Sequence, residues 1–270
     1  MSRYERMFSR LSARREGAFV PFVVIGDPDP DTSLAVMRAL VRAGADALEL
    51  GLPFSDPVAD GPVIQAAADR ALAGGMTPSR AWPLLATIRA EFPDLPIGLL
   101  VYANLVIHRG PDHFYGAAAL AGVDSVLVAD LPLQEAEPLI AAARTHRISP
   151  VLIAPPNASE ERLDRIAAAS EGYVYVTSRP GVTGADPELH LESARVMARL
   201  RIAASPPPLL GFGIAEPDHV RQALTLGAAG AISGSAVVKR MSRHPGPIDG
   251  MLRSLTDFTR GMKRATLAQP

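Results

Sequence analysis

The chain has 270 residues, of which 48 % are hydrophobic and 20 % are charged, and its formal net charge at pH 7 is -1. This balance is typical of an ordinary globular protein, and the absence of a basic excess argues against a nucleic-acid partner. There is no cysteine, which excludes disulfides, thiolate metal ligands and a cysteine nucleophile. Because the sequence contains no linker and no sharp shift in composition, we expect a single domain over residues 1–270.

The first segment, residues 1–17, is charged and periodic and lacks the apolar region of a signal peptide. It predicts a first helix over residues 2–15. No stretch approaches 18 consecutive apolar residues, so no membrane span is expected. These features favour a cytoplasmic protein without a membrane partner.

Eight short apolar stretches follow in chain order. Each is followed by a longer segment, and most of these segments have the amphipathic pattern of a helix. Because most of them are continuously apolar rather than alternating, they are typical of strands buried on both faces, as in parallel sheets. The predicted strands are residues 18–26, 45–51, 97–103, 123–130, 149–155, 172–178, 208–214 and 229–234.

Eight strand–helix units predict the α/β class and a (β/α)8 TIM barrel, with an extra N-terminal helix and an inserted helix after strand 2, at residues 61–75. The competing fold is a doubly wound open sheet, which usually has fewer strands and a glycine-rich turn after the first strand. Here the first strand is followed by "GDPDP", without a G-x-G-x-x-G motif.

Glu49 stands near the C-terminal end of the second predicted strand, where active sites of such barrels form. If Leu48 and Leu50 face the helices, alternation directs Glu49 into the barrel. Burial disfavours the ionised carboxylate and raises its pKa, which suits a general acid or base near neutral pH. The alternative is a structural carboxylate paired with an arginine.

Asp60 follows in the loop "PFSDPVADGP", whose three prolines stiffen the chain. Such a loop is suited to hold a second carboxylate opposite Glu49, and two carboxylates in different environments can take different roles. The alternative is that Asp60 only caps the helix that begins near Gly61. Asp56 is expected to face solvent or a partner, and Asp46 to be structural.

Glycine-rich segments follow the last three predicted strands. Glycine allows backbone N–H groups to approach an anion closely, and a helix N-terminus after strand 8 adds its dipole, so these loops predict a phosphate site. The candidate residues are Gly184, Gly213, Gly234 and Ser235. Phe22 and Phe212 are candidates for an aromatic sandwich around a flat ligand, with core packing as the alternative.

Other chemistries lack their motifs. The six histidines show no metal-ligand spacing, and there is no G-x-S-x-G segment. No lysine ends a predicted strand, so a Schiff-base aldolase would lack its nucleophile. Carbon–carbon cleavage in this barrel would then have to use acid/base catalysis.

The segments "GADALELGLPFSDPVADGPVIQAA", "SRPGVTGA", "GFGIAEPDHV" and "GAAGAISGSAVVK" resemble the tryptophan synthase alpha chain family, and the resemblance spans about residues 18–240. It implies a (β/α)8 barrel that cleaves indole-3-glycerol phosphate to indole and glyceraldehyde 3-phosphate. It also implies an α2β2 heterotetramer in which indole is channelled to a beta chain that carries pyridoxal phosphate. The alpha chain itself would carry no cofactor.

The resemblance also implies roles for residues that match the family motifs. Glu49 would protonate C3 of the indole, Asp60 would hold the indole N–H proton, and Tyr175 would orient Glu49. Thr183 would close over Asp60, and Asp56 with residues 102–106 would face the beta chain. The indole pocket would consist of Phe22, Leu100, Leu127, Ile153 and Phe212. The phosphate would be held by Gly184, Gly213, Gly234 and Ser235.

One departure concerns Val24, at a position where threonine is frequent in the family; it removes a hydroxyl near the pocket floor. Three alternative functions stay open. They are a stand-alone lyase that releases free indole, a catalytically silent subunit that only activates a beta chain, and a phosphate-binding barrel such as a sugar-phosphate epimerase. The last gives no reason for the "PFSDPVADGP" loop.

Overall fold

The computed structural model describes residues 1–177, 188–243 and 247–267. The strands are β1 (Ala18–Val24), β2 (Leu48–Gly51), β3 (Ile97–Val101), β4 (Ser125–Val128), β5 (Ser149–Val151), β6 (Ile153–Ala154), β7 (Val174–Val176), β8 (Pro208–Leu210) and β9 (Gly230–Ser233). The helices are α1 (Arg3–Ala13), α2 (Pro30–Arg42), α3 (Pro62–Ala73), α4 (Pro78–Glu91), α5 (Ala103–Ile107), α6 (Pro111–Leu120), α7 (Glu137–Thr145), α8 (Glu160–Ala169), α9 (Glu188–Ile202), α10 (Pro217–Thr225), α11 (Ser235–Ser242) and α12 (Ile248–Arg264). Each described strand except β5 is followed by one or two helices. No helix in this described part of the chain is long and apolar enough to cross a membrane.

The described strands form one parallel sheet in the order β5-β4-β3-β2-β1-β9-β8-β7-β6. Its two edges, β5 and β6, are consecutive in the chain and are separated only by Leu152. Val151 pairs with Leu127 of β4, whereas Ile153 pairs with Tyr175 of β7. β5 and β6 are therefore two halves of one interrupted strand that closes the sheet. This confirms the predicted barrel and excludes the open sheet.

The strands are buried on both faces, as their continuous apolar sequences predicted. All seven residues of β1 are buried. Phe19 packs outwards against Phe258 of α12, with ring centroids 6.3 Å apart. Phe22 turns inwards, since a Cβ built on Gly51 of β2 would lie 2.8 Å from its ring. The interior side chains and the helix layer thus pack on opposite sides of the same strand.

Helix α1 covers the amino-terminal end of the barrel. It begins with a reciprocal capping box between Ser2 and Glu5. Tyr4, on its buried face, is hydrogen-bonded to the hydroxyl of Ser125, the first residue of β4, at 2.9 Å. The extra N-terminal helix that the sequence predicted is confirmed.

Helix α3 is the predicted insertion after strand 2, and its N-cap is Gly61. Arg70, in its last turn, forms a bidentate pair with Asp27 in the loop after β1, with N–O distances of 2.8 and 2.9 Å. Asp27 is only 1 % exposed. The pair therefore fastens the inserted helix to the carboxyl end of β1.

Asp46 precedes β2 and joins three elements. One carboxylate oxygen accepts a hydrogen bond from the backbone N–H of Phe19 at 2.9 Å and contacts Lys263 of α12 at 2.9 Å. Arg10 of α1 lies 3.6 Å from the other oxygen. Asp46 is therefore a structural carboxylate, as the sequence suggested.

We expect Arg70→Leu to lower the free energy of unfolding by roughly 2 kcal/mol, because it leaves the buried Asp27 carboxylate without its cation. The loss should be smaller than for a fully buried pair because Arg70 is 37 % exposed. Urea unfolding at pH 7, followed by circular dichroism, measures the change.

The matched control is Arg144→Leu, whose pair with Glu171 is exposed on both sides and should contribute less than about 1 kcal/mol. The double variant Asp27→Asn/Arg70→Leu should recover part of the loss. Equal losses for Arg70→Leu and Arg144→Leu would contradict a special role for the Asp27–Arg70 pair.

Candidate active site

Glu49 lies inside the barrel, between Phe22 of β1 and Gly98 of β3 in the strand register. It is 1 % exposed. The hydroxyl of Tyr173 donates a hydrogen bond to Oε1 at 2.5 Å, and Oε2 has no hydrogen-bond partner among the described residues. No arginine or lysine in the described chain pairs with Glu49, which argues against the structural ion pair considered as its alternative role.

Burial raises the pKa of Glu49 from 4.5 to about 7, and the hydrogen bond from Tyr173 opposes this rise. A carboxyl group with this pKa is present in both protonated and ionised forms near neutral pH. It can therefore give up a proton and take one back without a large cost in either direction.

Asp60 lies in the loop between β2 and α3. The hydroxyl of Tyr102, which follows β3, donates a hydrogen bond to its Oδ2 at 2.9 Å. Burial raises the pKa of Asp60, and the hydrogen bond from Tyr102 opposes this rise. Helix α3 is capped by Gly61 without a side-chain hydrogen bond. The alternative in which Asp60 serves only as a helix cap is therefore wrong.

The resemblance implied that Tyr175 orients Glu49, but the hydroxyl that donates a hydrogen bond to Glu49 in the structure is that of Tyr173. Tyr175 donates to the backbone carbonyl of Gly211 at 3.0 Å. A side chain at Gly211 would collide with the Tyr175 ring, since an added Cβ would lie 2.1 Å from it. Burial, and then the nearby charges of Glu49 and Asp60, raise the pKa of Tyr175. Tyr175 therefore lies close to both carboxylates without contacting Glu49 through a hydrogen bond.

A signal for Tyr173 was present in the sequence. Tyr173 and Tyr175 are two residues apart in an extended segment, so their side chains share the face that turns into the barrel. Tyr173 stands before the first residue of β7, deeper in the barrel than Tyr175. The ring of Tyr173 packs against Tyr4 of α1 with centroids 5.4 Å apart. This contact fixes the side chain that binds Glu49.

The residues predicted to hold an indole ring come from four strands and the turn after β8. Leu100 and Leu127 are neighbours in the register of β3 and β4. The ring of Phe212 lies 6.4 Å from that of Tyr175, edge to face. All the predicted residues belong to, or pack against, one hydrophobic cluster: Phe22, Leu100, Leu127, Ile153 and Phe212. The structure therefore brings these residues into one apolar cluster.

Val24 continues the inward face of β1 above Phe22 and is buried. Its Cγ2 would lie 3.8 Å from a Cβ on Gly51. The side chain offers methyl groups and no hydroxyl at this place.

The predicted phosphate residues lie at the ends of β8 and β9. Gly213 is exposed and adopts φ +77°, and a Cβ there would meet no atom within 4 Å. Gly234 is the N-cap of α11 and forms no side-chain cap, and Ser235 is the first residue of that helix. The first N–H groups of α11 are thus available to an anion. Thr183 and Gly184 lie outside the described residues.

Sequence and structure comparisons place the chain among known proteins. The family model for the tryptophan synthase alpha chain matches residues 8–267. The tryptophan synthase alpha chain of Shewanella oneidensis is 57% identical over 265 residues, which cover 98% of this chain and 95% of that protein. That of Vibrio cholerae is 55% identical, with 98% and 99% covered.

The chain is also similar to solved structures of tryptophan synthase. The tryptophan synthase alpha subunit of Legionella pneumophila superposes with a TM-score of 0.89 at 30% sequence identity and covers 98% of both chains. A chain of Mycobacterium tuberculosis tryptophan synthase superposes with a TM-score of 0.89 at 29% identity and covers 99% of both chains.

The hydrogen bond from Tyr173 can be tested by its effect on the titration of Glu49. Tyr173→Phe removes a donor that favours the ionised carboxylate, so the pKa of Glu49 should rise above about 7. Carbon-13 NMR of glutamate-labelled protein measures the titration, and Glu49→Gln identifies the resonance. Tyr175→Phe is the control and should leave the titration unchanged. A shift with Tyr175→Phe but not with Tyr173→Phe would restore the sequence-based assignment.

Glu49 should also make stability depend on pH. Because its pKa is higher in the folded state than in the unfolded chain, its contribution is fully present below about pH 4.5 and is lost as the pH rises through about 7. We expect the stability of Glu49→Gln relative to the unsubstituted chain to increase by about 3 kcal/mol across this range. Urea unfolding at a series of pH values measures this difference.

Glu91→Gln is a control of opposite sign. The hydrogen bond from Arg38 lowers the pKa of Glu91, so its contribution is present above about pH 4.5 and is lost as the pH falls. Glu91→Gln should therefore lose stability relative to the unsubstituted chain as the pH rises. A pH-independent difference for Glu49→Gln would show that burial does not shift the pKa of Glu49.

Proposed function

The chain belongs to the tryptophan synthase alpha chain family, and from this premise we propose that Glu49 and Asp60 carry out the family's reaction in this barrel. The protein is a carbon–carbon lyase that cleaves indole-3-glycerol phosphate to indole and glyceraldehyde 3-phosphate. The observation that supports the assignment of Glu49 is its buried carboxyl group, with a pKa of about 7 and one oxygen that has no hydrogen-bond partner among the described residues.

The reaction breaks the bond between C3 of the indole ring and the adjacent carbon of the glycerol phosphate chain. Protonated Glu49 gives its proton to C3, which turns the indole into a cationic indolenine. The carboxylate of Asp60 accepts a hydrogen bond from the ring N–H and stabilises this positive charge. The positively charged ring can accept the electron pair of the carbon–carbon bond, which allows this bond to break.

In the second step, ionised Glu49 takes the proton of the hydroxyl group on the carbon that was bonded to C3. As this proton leaves, the carbon–carbon bond breaks and the carbon–oxygen single bond becomes the C=O of glyceraldehyde 3-phosphate. The electron pair of the broken bond passes to the cationic ring, which becomes neutral indole. One carboxyl group is thus acid and then base, which requires a pKa near the working pH. No electron acceptor is needed, because the electron pair stays within the two products.

The remaining site residues follow the same proposal. Tyr175 is assigned to the site because its ring lies beside Phe212 and near both carboxylates. The predicted apolar side chains would enclose the indole. The phosphate would be held by Gly184, Gly213, Gly234 and Ser235, and Thr183 would close over Asp60.

A tryptophan synthase alpha chain has a beta chain as its partner, and we propose an α2β2 assembly in the cytoplasm. Pyridoxal phosphate would belong to the beta chain. The loop after β2 and helix α5 would supply a surface for it, since Val58 and Ile107 are 80 % and 51 % exposed. Within the predicted segment 102–106, Asn104 is exposed, whereas Tyr102 and Val106 are buried. Asp56 is exposed as well.

Indole release from indole-3-glycerol phosphate tests the assignment, with the chain alone and with a beta chain added. We expect slow turnover alone and a large increase with the partner. Glu49→Gln and Asp60→Asn should each reduce kcat by about 10²- to 10⁴-fold, because each removes a group that acts in the transition state. Both variants should still bind the beta chain.

Asp56→Asn is the matched control. It lies in the same loop as Asp60, so we expect it to change partner binding while turnover by the chain alone stays the same. Fast turnover that does not respond to a beta chain would support the stand-alone lyase. Full activity in Glu49→Gln would overturn the role of Glu49.

A further inference from the structure

Tyr102, which directly follows β3, makes three contacts with the loop that carries Asp60. The hydroxyl of Tyr102 donates to Asp60 Oδ2 at 2.9 Å and accepts from the backbone N–H of Ala59 at 3.1 Å. The ring of Tyr102 stacks on Phe54, with centroids 5.2 Å apart and an angle of 22° between the planes. All three contacts join Tyr102 to the segment between β2 and α3.

Tyr102 is itself held firmly. It directly follows the last residue of β3, is the N-cap of α5 and is only 2 % exposed. The next backbone N–H, that of Ala103, donates to Asp130 in the loop after β4 at 2.7 Å. A side chain anchored between two strand ends can fix the position of a group on a neighbouring loop.

Asp60 has less support from its own loop. Its backbone N–H donates to the carbonyl of Pro57, and its carbonyl accepts from the side chain of Gln65. Neither bond restrains the carboxylate. Within the described residues, the hydrogen bond of the carboxylate is the one from Tyr102.

We propose that Tyr102 is a positioning residue for Asp60, which fixes one carboxylate oxygen and leaves the other to accept the hydrogen bond of a substrate N–H. The proposal rests on the proposed function of Asp60. An anion that must meet a ring N–H in one direction gains from a fixed orientation, because a misplacement of about 1 Å can cost about 10²-fold in rate.

The hydroxyl of Tyr102 also favours the ionised form of Asp60. The titratable groups that act around Asp60 in the described chain are the phenols Tyr102 and Tyr175, with Asp130 acting on Tyr102 and Glu49 on Tyr175. None of these groups is a cation. Against the burial that raises the pKa of Asp60, the hydrogen bond from Tyr102 is the opposing interaction.

Tyr102→Phe tests the proposal, because it keeps the ring that stacks on Phe54 and removes both hydrogen bonds. We expect kcat for indole release to fall by about 10- to 100-fold, with a smaller change in KM. The acid limb of the pH profile of kcat/KM should move to higher pH, because Asp60 loses the donor that favours its ionised form. The holoenzyme with its beta chain is used for these measurements.

The matched control is Tyr115→Phe, which removes the hydroxyl of another buried tyrosine, on α6, that packs against Phe114. It should leave both kcat and the pH profile unchanged. In the double variant Tyr102→Phe/Asp60→Asn, kcat should equal that of Asp60→Asn alone, because Tyr102 is expected to act through Asp60.

The outcomes separate this proposal from the proposed function. If the unsubstituted holoenzyme releases no indole, or if Asp60→Asn keeps full activity, the assigned function of Asp60 fails. If Asp60→Asn is inactive but Tyr102→Phe keeps its kcat and pH profile, only the role of Tyr102 fails. Equal losses in Tyr102→Phe and Tyr115→Phe, without a shift in the pH profile, would also overturn it.

Discussion

The arrangement of the barrel interior depends on the cost of burying the carboxylate of Glu49, with which no cation of the described residues pairs. An ionised Glu49 loses its hydration there, and the described chain offers it one hydroxyl donor, that of Tyr173. The position of Tyr173 is fixed by its contact with Tyr4, a residue of helix α1 at the amino-terminal end of the barrel. Tyr4 is bonded to Ser125 in turn. The N-terminal helix thus closes the barrel and supports the residue that binds Glu49.

Space for this arrangement is made by residues without side chains. A Cβ on Gly98 would lie 2.8 Å from the Ser125 hydroxyl and 3.0 Å from that of Tyr4. On the opposite wall, Gly211 leaves room for the ring of Tyr175. Tyrosines are large, and a barrel interior of eight strands is only wide enough for its side chains. Tyr4 and Tyr175 can enter because glycines face them.

The sequence predicted the order of the barrel because continuous apolar stretches report burial on both faces of a strand. It did not reveal that the fifth strand is interrupted at Leu152, since "SPVLIAP" reads as one apolar stretch. It identified Glu49 from its position in a strand. It assigned the orientation of Glu49 to Tyr175, and it missed the hydrogen bonds from Tyr173 to Glu49 and from Tyr102 to Asp60. Both depend on where long side chains end, which spacing alone does not fix.

The two proposed catalytic carboxylates differ from three largely buried structural ones in the kind of donor that binds them. Asp46, Asp27 and Asp124 are each bound by lysine or arginine. Glu49 and Asp60 are bound by tyrosine hydroxyls. Burial raises the pKa of Asp27 and Asp46 as well, and the neighbouring cations Arg70 and Lys263 oppose this rise. A neutral hydroxyl orients the carboxyl group but lowers its pKa less than a cation does. Burial therefore still raises the pKa of Glu49 to about 7. Proton transfer to and from carbon by Glu49 depends on this choice of donor.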